Sequence, residues 1–248
     1  MLTIDIGNTC IKWALWDEER IVRSGSNRYS RQNVEHGFST WNDLQADEQV
    51  IVACVGGDAV ENALSAWMRH NWSVTPEFLQ ATKKLAGVTN AYRDPSQHGV
   101  DRWAALLAAH AHYSDPVCII DAGTAVTFDL MDVEGGHLGG LILPGLEMMR
   151  NALLQGTAGI WQTEGEVPRF ADNTADAVSS GTLQMLRAAI IEICSSAAQS
   201  LGSDMKIIIT GVMSESILSL SAMPAMIHEP HLVLKGLRVA ARCRAVRD

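Results

Sequence analysis

The chain has 248 residues, of which 47% are hydrophobic and 19% are charged, a balance that predicts one large or two small globular domains and excludes a disordered chain. Its 19 basic and 28 acidic residues leave a net charge of −9, which argues against nucleic acid as the main partner because the phosphate backbone is also negative. A small phosphate-bearing ligand remains compatible with this charge, because backbone amides or a metal ion can bind it locally.

The first half of the chain alternates predicted strands and helices. A strand, a tight turn and a second strand occupy residues 4–17, and no element is assigned to the polar segment 18–42. The apolar run 50–55, closed by two glycines, predicts a strand. Residue patterns typical of helices predict them over 59–70 and 101–112, and the second begins with an acidic residue, as helix N-termini favour.

The second half continues the same alternation. A second strand–turn–strand unit occupies residues 120–132, and a glycine-rich segment broken by proline follows at 139–145. A long helix is predicted over Thr174–Leu201, with Gly202 as its C-cap. The remaining predicted elements are a β-branched strand at 207–210 and a helix at 240–247.

The two strand–turn–strand units resemble each other. Each begins with Ile-Asp-x-Gly and ends in Asp, and they are separated by about half the chain. Such a repeat predicts duplicated lobes that face each other, the alternative being two hairpins that look alike by chance. We therefore expect an α/β protein of two lobes, 1–114 and 115–248, each with a mixed sheet flanked by helices.

The sequence also predicts a cytoplasmic location. No apolar run approaches the roughly 20 residues that a membrane helix needs, and the N-terminus lacks the basic region of a signal peptide. The cysteines are odd in number, have apolar or small neighbours and include no C-x-x-C pair, which predicts buried free thiols in a reducing compartment.

The first unit carries a candidate phosphate site. Asp5 ends a predicted strand, where a carboxylate can hold a hydrated cation, and Gly7 lets the backbone of the turn approach a phosphate closely. Asn8 can donate from its side-chain amide, and Lys12 adds a positive charge. Taken alone, the unit is weak evidence for such a site, and the alternative is an ordinary hairpin turn, in which Asp and Gly are common.

The second unit repeats this arrangement. Asp121, Gly123, Thr124 and Thr127 stand in the places of the first set. Two such hairpins facing each other would hold a triphosphate between them. The sequence has no G-x-x-x-x-G-K-[ST] and no G-x-G-x-x-G motif, so these hairpins are the candidate phosphate site, and the spacing of the histidines favours no metal site.

A second group of candidate residues opens the helix at 101–112. Asp101 can accept a hydroxyl proton, and Arg102 offers fixed donors for an anionic substrate, although a carboxylate at a helix start is also a common stabilising feature. Tyr92 precedes them and is a weaker candidate. Thr174 follows Asn173 at the start of the long helix, where a capping role is the alternative to ligand contact.

Five short motifs occur in one order along the chain. They are Asp-x-Gly-Asn-x-x-x-Lys at 5–12, Gly-x-Asp-Arg at 99–102, Asp-x-Gly-Thr-Ala-x-Thr at 121–127, Gly-Gly-x-Ile-x-Pro-Gly at 139–145 and Thr-x-x-Ala-x-x-x-Gly at 174–181. In this order and at this chain length they resemble the type III pantothenate kinases of bacteria, in the superfamily of acetate and sugar kinases, Hsp70 chaperones and actin.

The resemblance implies two ribonuclease-H-like lobes of the actin-like ATPase kind, with ATP between them. It implies phosphorylation of pantothenate to 4'-phosphopantothenate, the first step of coenzyme A biosynthesis. It further implies ATP with Mg²⁺, a monovalent cation (K⁺ or NH₄⁺) and a homodimer, with pantothenate as the small-molecule partner and neither nucleic acid nor membrane. Other functions kept open are a sugar kinase or phosphatase of the same superfamily and a non-enzymatic regulatory relative.

The resemblance also assigns roles to individual residues. It implies that Asp101 is the general base and that Asp121 holds the monovalent cation. The implied ATP-binding residues are Asp5, Ile6, Gly7, Asn8, Thr9, Cys10, Ile11, Lys12 and Thr124. The implied pantothenate-binding residues are Tyr92, Gly99, Val100, Asp101, Arg102 and Thr174.

Three further expectations accompany the resemblance. Gly211 is followed by Val212 where superfamily members often carry Gly-Gly, which predicts loose nucleotide binding. Segment 52–58 departs from the run expected there and receives no role. The long helix carries more apolar residues than one exposed face should, so it is expected to form the dimer contact, and a charge at Leu186 or Ile190 is expected to give a folded monomer. Burial of those residues within their own lobe is the alternative.

Overall fold

The computed structural model describes residues 1–30, 33–41, 44 and 49–245. The first half forms seven short or medium strands and two α-helices in the described residues. These elements are β1 (Leu2–Ile6), β2 (Cys10–Asp17), β3 (Arg20–Arg28), β4 (Val50–Cys54), α1 (Asp58–Trp72), β5 (Glu77–Phe78), β6 (Lys84–Leu85), β7 (Val88–Thr89) and α2 (Val100–His112). Short 3-10 helices lie at Glu35–Trp41 and Pro95–Gln97.

The second half alternates strands and helices in the same manner. Its elements are β8 (Val117–Ala122), β9 (Ala125–Met131), β10 (His137–Pro144), α3 (Leu146–Gly156), α4 (Thr174–Leu201), β11 (Lys206–Thr210), α5 (Ser214–Leu218), β12 (Ile227–His228) and α6 (Leu232–Ala245). No helix in the described part of the chain is long and apolar enough to cross a membrane.

The predicted repeat is visible in the sheets. One five-stranded sheet has the order β3-β2-β1-β4-β5, and the other has the order β10-β9-β8-β11-β12. In the first, β1 pairs antiparallel with β2 and parallel with β4. In the second, β11 pairs parallel with both β8 and β12. The two predicted hairpins are thus β1–β2 and β8–β9, and the predicted α/β class with two mixed sheets is confirmed.

The chain divides into two compact units. The first contains Met1–Ser114, Met131–Gly139 and the chain from His231 onward, and the second contains Asp115–Leu130 and Gly140–Pro230. The lobes 1–114 and 115–248 stay a prediction. The units differ from them because the segments 131–139 and 231 onward group with the first unit. The C-terminal helix groups with the first unit because α6 packs directly against α2. The two helices are so close at Gly236 that a side chain there would collide with the backbone of Ala104.

The core of the first unit forms because β1 places its apolar residues, Leu2, Ile4 and Ile6, on one face of the sheet. Its strand residues pack with Val60, Leu64 and Met68 of α1, while α2 and α6 contact the sheet through β4 and β1. In the segment 18–42, to which no element was assigned, the described residues include β3 and the first 3-10 helix, and residues 31, 32 and 42 lie outside the described part. Phe38 and Trp41 of that helix are completely buried, and their burial stabilises the segment although most residues around them are polar.

The core of the second unit lies between its sheet and α4. Leu186, Ile190 and Cys194 of α4 pack with Ile120 and Phe128 of the strands. The exposed fractions of Leu186 and Ile190 are 1% and 0%. The expectation that these two residues lie in a dimer contact is therefore wrong, because they fill the core of their own unit.

Most predicted elements are confirmed with shifted ends, and two need comment. The glycine-rich segment 139–145 lies mainly in β10, since an edge strand tolerates glycine and a terminal proline. The helix predicted at 240–247 begins earlier, at Leu232, and residues 246 and 247 lie outside the described part.

Candidate active site

The β1–β2 hairpin places a carboxylate and an ammonium group side by side. Asp5 and Lys12 are directly opposite in the antiparallel register, so their side chains leave the same face of the sheet at neighbouring positions. The backbone N–H of Gly7 donates to the carbonyl oxygen of Cys10 at 3.0 Å and closes the turn. Asn8 and Thr9 are exposed at its tip, so the turn presents polar groups beside one positive and one negative charge.

Tyr29 holds this hairpin in place. Its hydroxyl donates to the carbonyl oxygen of Gly7 at 2.6 Å, and its backbone N–H donates to the carbonyl oxygen of Thr9 at 3.1 Å. The ring is buried, and its hydroxyl also lies against Gly56. Sequence reasoning missed Tyr29 because it lies in the segment without assigned elements. That it is one of only three tyrosines was the available signal.

Asp101 lies in the first turn of α2, and its carboxylate turns back over the start of the helix. Its Oδ1 accepts from the backbone N–H of Arg102 at 2.8 Å. A side chain at Gly99 would lie 2.7 Å from this oxygen, so the glycine gives the carboxylate its room. The positive end of the helix stabilises the ionised carboxylate. The site thus contains a partly exposed carboxylate at a helix N-terminus, adjacent to Gly99 and Val100.

Arg102 joins this helix to Tyr92. The guanidinium is buried, and its Nη1 donates to the hydroxyl of Tyr92 at 3.0 Å. Its Cζ also lies 5.9 Å from the centre of the tyrosine ring. The weak candidate Tyr92 therefore belongs to the same group as Asp101 and Arg102.

Two buried histidines support Tyr92 from behind. The ring of Tyr92 stacks on His98 with centroids 4.6 Å apart, and His98 stacks on His137 at 4.9 Å. The Nδ1 of His137 accepts from the backbone N–H of Ala91 at 3.4 Å. Sequence reasoning missed both histidines, because a stack of rings from distant segments leaves no spacing pattern.

A cavity connects the start of α2 with the end of β4. Its volume is about 430 Å³, within the usual range for a small-molecule pocket, and Cys54, Val55, Gly99 and Val100 are among its lining residues. Cys54 is paired in register with Ile6, the residue after Asp5. Burial raises the pKa of the Cys54 thiol to about 11, so it stays protonated and unreactive at neutral pH. Cys54 and Val55, in the segment 52–58 to which no role was assigned, thus line this cavity.

The second unit gathers its candidate residues around the β8–β9 turn. Gly145 donates its backbone N–H to the carbonyl oxygen of Thr124 at 3.0 Å, and a side chain there would lie 2.5 Å from that oxygen. Gly211, with φ of 95°, lies against the carboxylate of Asp121, where a side chain would lie 2.5 Å from its Oδ1. Gly145 thus packs on the turn and Gly211 on the half-buried Asp121 carboxylate, and neither position has room for a side chain.

Thr174 is exposed at the first position of α4. The side chain of Asn173 accepts from the backbone N–H of Asp176 at 3.0 Å, which confirms the predicted helix cap and leaves Thr174 outside the capping bond. Thr174 lines a different cavity, of about 500 Å³, with Leu153 of α3.

Comparison with known proteins identifies the family of this chain. The family model for type III pantothenate kinase matches residues 1–196, which include all five motifs. The chain belongs to the type III pantothenate kinase family. A type III pantothenate kinase of Nitrosococcus oceani is 37% identical over 256 aligned residues, which cover 100% of this chain and 96% of the relative. One of Nitrosospira multiformis is 32% identical and covers 98% of this chain and 91% of the relative.

Solved structures show the fold of the family independently. An activator of 2-hydroxyisocaproyl-CoA dehydratase from Clostridium difficile, with bound ADPNP, superposes with a TM-score of 0.55 at 15% identity, over 99% of this chain and 96% of that one. A Campylobacter jejuni protein provisionally described as a conserved Baf family transcriptional activator gives 0.61 at 19% identity, over 99% and 100%. The type III pantothenate kinase family member described here therefore has the actin-like ATPase fold.

Proposed function

We propose that this protein transfers the γ-phosphoryl group of ATP to the hydroxyl of pantothenate and forms 4'-phosphopantothenate, the first step of coenzyme A biosynthesis. The observation that carries the proposal is the cavity between the end of β4 and the start of α2. Gly99 and Val100, which immediately precede Asp101, line one side, and Cys54, which is paired with Ile6 of the Asp5 hairpin, lines the other. Family membership and the names of the relatives support pantothenate as the acceptor.

The acceptor would be held by the first-unit residues around α2. Arg102 and Tyr92 present a fixed donor and an aromatic wall, with Gly99 and Val100 lining the cavity. Asp101 would orient the hydroxyl and accept its proton, which is the main demand that phosphoryl transfer makes of a base. For the second unit we propose that Thr174 also contacts pantothenate.

The nucleotide would be held by the β1–β2 hairpin. Lys12 and the exposed tip residues Asn8 and Thr9 suit the phosphates, while Asp5 suits a hydrated Mg²⁺, because oxygen ligands are what this ion prefers. Bound ATP would supply the phosphoryl group, and its Mg²⁺ would neutralise part of the negative charge of the phosphates. The rest of the implied ATP segment, Ile6, Gly7, Cys10 and Ile11, shapes this turn.

The β8–β9 turn would complete nucleotide and cation binding. We propose that Asp121 holds K⁺ or NH₄⁺ and that Thr124 contacts ATP. The fit is chemical: the Asp121 carboxylate and the carbonyl oxygen of Ala122 both lie beside Gly211, and such hard oxygen donors suit a cation of this kind.

An assay of ADP release distinguishes this function from the alternatives. Purified protein with ATP, Mg²⁺ and K⁺ is expected to release ADP when pantothenate is added. A panel of sugars should give no more than the rate without acceptor. Release with a sugar alone would favour a sugar kinase, and no release with any acceptor would favour a regulatory relative.

Replacing Tyr92 by phenylalanine tests the acceptor site. This variant keeps the ring stack and removes only the hydroxyl that accepts from Arg102. We expect the KM for pantothenate to rise by about 3- to 10-fold, the usual consequence of losing one hydrogen bond, while the KM for ATP stays unchanged. Tyr113→Phe at the end of α2 is the matched control. An unchanged KM for pantothenate would contradict the assignment.

A homodimer is a further proposal, supported by exposed apolar side chains on the second unit. The exposed fractions of Trp161, Phe170 and Met185 are 81%, 86% and 55%. Large apolar side chains exposed together on one unit are typical of an interaction surface. Met148 and Leu154 of α3 are exposed as well, and α3 packs on α4. We propose that these residues cover each other between two copies, and that the copies work in the cytoplasm.

Met185→Glu is expected to give a folded monomer, because it puts a charge on this exposed surface without entering the core. Light scattering at micromolar concentration measures the mass, and thermal unfolding measures the fold. Binding of pantothenate should weaken, because Thr174 begins the same helix. Gln184→Glu, at the exposed neighbouring position, should stay dimeric. A wild-type protein that is monomeric and fully active would contradict the proposal.

A further inference from the structure

A serine and a histidine lie close together beside Gly211, and neither has a role in the sequence motifs. Ser214 begins α5, and His228 ends β12. The Oγ of Ser214 lies 2.8 Å from the Nε2 of His228. The exposed fraction of Ser214 is 2%.

The direction of these hydrogen bonds follows from the number of protons. The Oγ of Ser214 donates to the carbonyl oxygen of Gly211 at 2.7 Å, which uses its single proton. It therefore accepts from His228, whose Nε2 carries the hydrogen. This direction excludes a serine nucleophile activated by histidine, because such a pair needs the serine proton to point at the ring.

His228 and Ser214 thus form a relay of two hydrogen bonds that ends on the carbonyl oxygen of Gly211, the residue that lies against the Asp121 carboxylate. The carbonyl oxygen of Gly211 also accepts from the backbone N–H of Ser214 at 3.2 Å, so the serine holds it twice. Two residues after Gly211, the backbone N–H of Met213 donates to the carbonyl oxygen of Ala122 at 2.9 Å. Because Gly211 lies directly against the Asp121 carboxylate, a shift of this turn would move the wall of that site.

The relay also explains how the Gly-Val turn keeps its shape. Gly211 has a positive φ of 95°, which costs glycine little, but Val212 is exposed and contributes no buried packing. The turn therefore depends on hydrogen bonds from Ser214 and Met213. His228 is fixed in turn by the parallel pairing of β12 with β11, opposite Ile209.

We infer that Ser214 and His228 are positioning residues, which hold the Gly211 turn and thereby the cation and nucleotide side of the site. The inference rests on the proposed function of Asp121. Neither residue is expected to touch substrate. Their loss should raise the KM for ATP and the K⁺ concentration at half-maximal rate, and it should leave the KM for pantothenate unchanged.

The test uses the full chain and compares variants that keep or remove one hydrogen bond. Ser214→Ala and His228→Leu are each expected to raise the KM for ATP by about 3- to 10-fold, with a parallel rise in the K⁺ requirement. His228→Gln places an amide donor near the position of Nε2 and should restore most of the wild-type value. The double variant should behave like Ser214→Ala alone, because both changes break one relay.

Ser219→Ala is the matched control. Its hydroxyl donates to the carbonyl oxygen of Ser216 at 2.8 Å, so the change also removes a serine–backbone bond, at the end of α5 rather than beside Gly211. It should leave both KM values unchanged. Equal rises for ATP and pantothenate in the Ser214 and His228 variants, or a His228→Gln variant as weak as His228→Leu, would overturn the inference.

A failure of the proposed function would look different. In that case wild-type protein would show no K⁺-dependent phosphorylation of pantothenate, whatever the variants do. Binding of the non-hydrolysable analogue ADPNP, measured by calorimetry, then tests the relay alone. Weaker binding by Ser214→Ala than by Ser219→Ala supports it, and equal binding overturns it.

Discussion

Asp101→Asn is expected to lower kcat by about 10²- to 10⁴-fold, the usual cost of losing a general base. Asparagine keeps the shape of the side chain, and its amide oxygen can still accept from the backbone N–H of Arg102. What it loses is the ability to take the proton of the hydroxyl. The KM for pantothenate should change little, because Arg102 and Tyr92 remain in place.

Asp58→Asn is the control for this variant. Asp58 is also an acidic residue in the first turn of a helix, but on α1 and exposed. Both variants remove a carboxylate that interacts favourably with a helix N-terminus, so both should lower the thermal midpoint slightly and by similar amounts. Only Asp101→Asn should lose turnover. A value of kcat near that of the wild type would remove Asp101 from the mechanism.

Removal of K⁺ and NH₄⁺ is expected to lower the rate by at least about 10-fold, which corresponds to about 1.4 kcal/mol of activation free energy. The reason is that the phosphates would then lack the positive charge held at Asp121. Rates are measured in Tris or Na⁺ buffer and again as K⁺ is titrated, and the activation should saturate.

Asp121→Asn should require much more K⁺ for the same rate, since a neutral amide binds a cation more weakly than a carboxylate. Asp204→Asn, in an exposed turn of the same unit, should titrate like the wild type. Full activity without K⁺ or NH₄⁺ would contradict the cation site, and an unchanged K⁺ requirement in Asp121→Asn would contradict its location.

The sequence was sufficient to predict features that depend on neighbouring residues. The two hairpins, α2 and α4 each have a local pattern of apolar residues, turn residues and caps, and the structure confirms them. The duplication was predictable for the same reason, because the Ile-Asp-x-Gly start occurs twice at equivalent places.

Contacts between distant segments were not predictable in this way. Tyr29, the residue after β3, reaches the Gly7 turn, and His137 reaches the backbone next to Tyr92 from β10. Such contacts depend on how strands cross over in a sheet, which leaves no periodicity in one sequence. The C-terminal helix is a similar case, because its position depends on the close approach of Gly236 to α2.

Helix α4 shows why apolar content alone gave the wrong residues for a dimer contact. Its apolar residues extend around more than one face, and the sequence does not say which face the sheet covers. The structure buries Leu186 and Ile190 against the second sheet and exposes Met185. The choice between core and interface therefore required the orientation of the helix.

The most direct test of the proposed function is identification of the product. The full chain is incubated with pantothenate, ATP, Mg²⁺ and K⁺, and the mixture is analysed by mass spectrometry and phosphorus NMR. We predict a phosphate monoester on the primary hydroxyl of pantothenate, formed in the same amount as ADP and at least about 100-fold more slowly with Asp101→Asn. Unmodified pantothenate after prolonged incubation of a folded wild-type protein, or ADP formed without a phosphorylated acceptor, would contradict it.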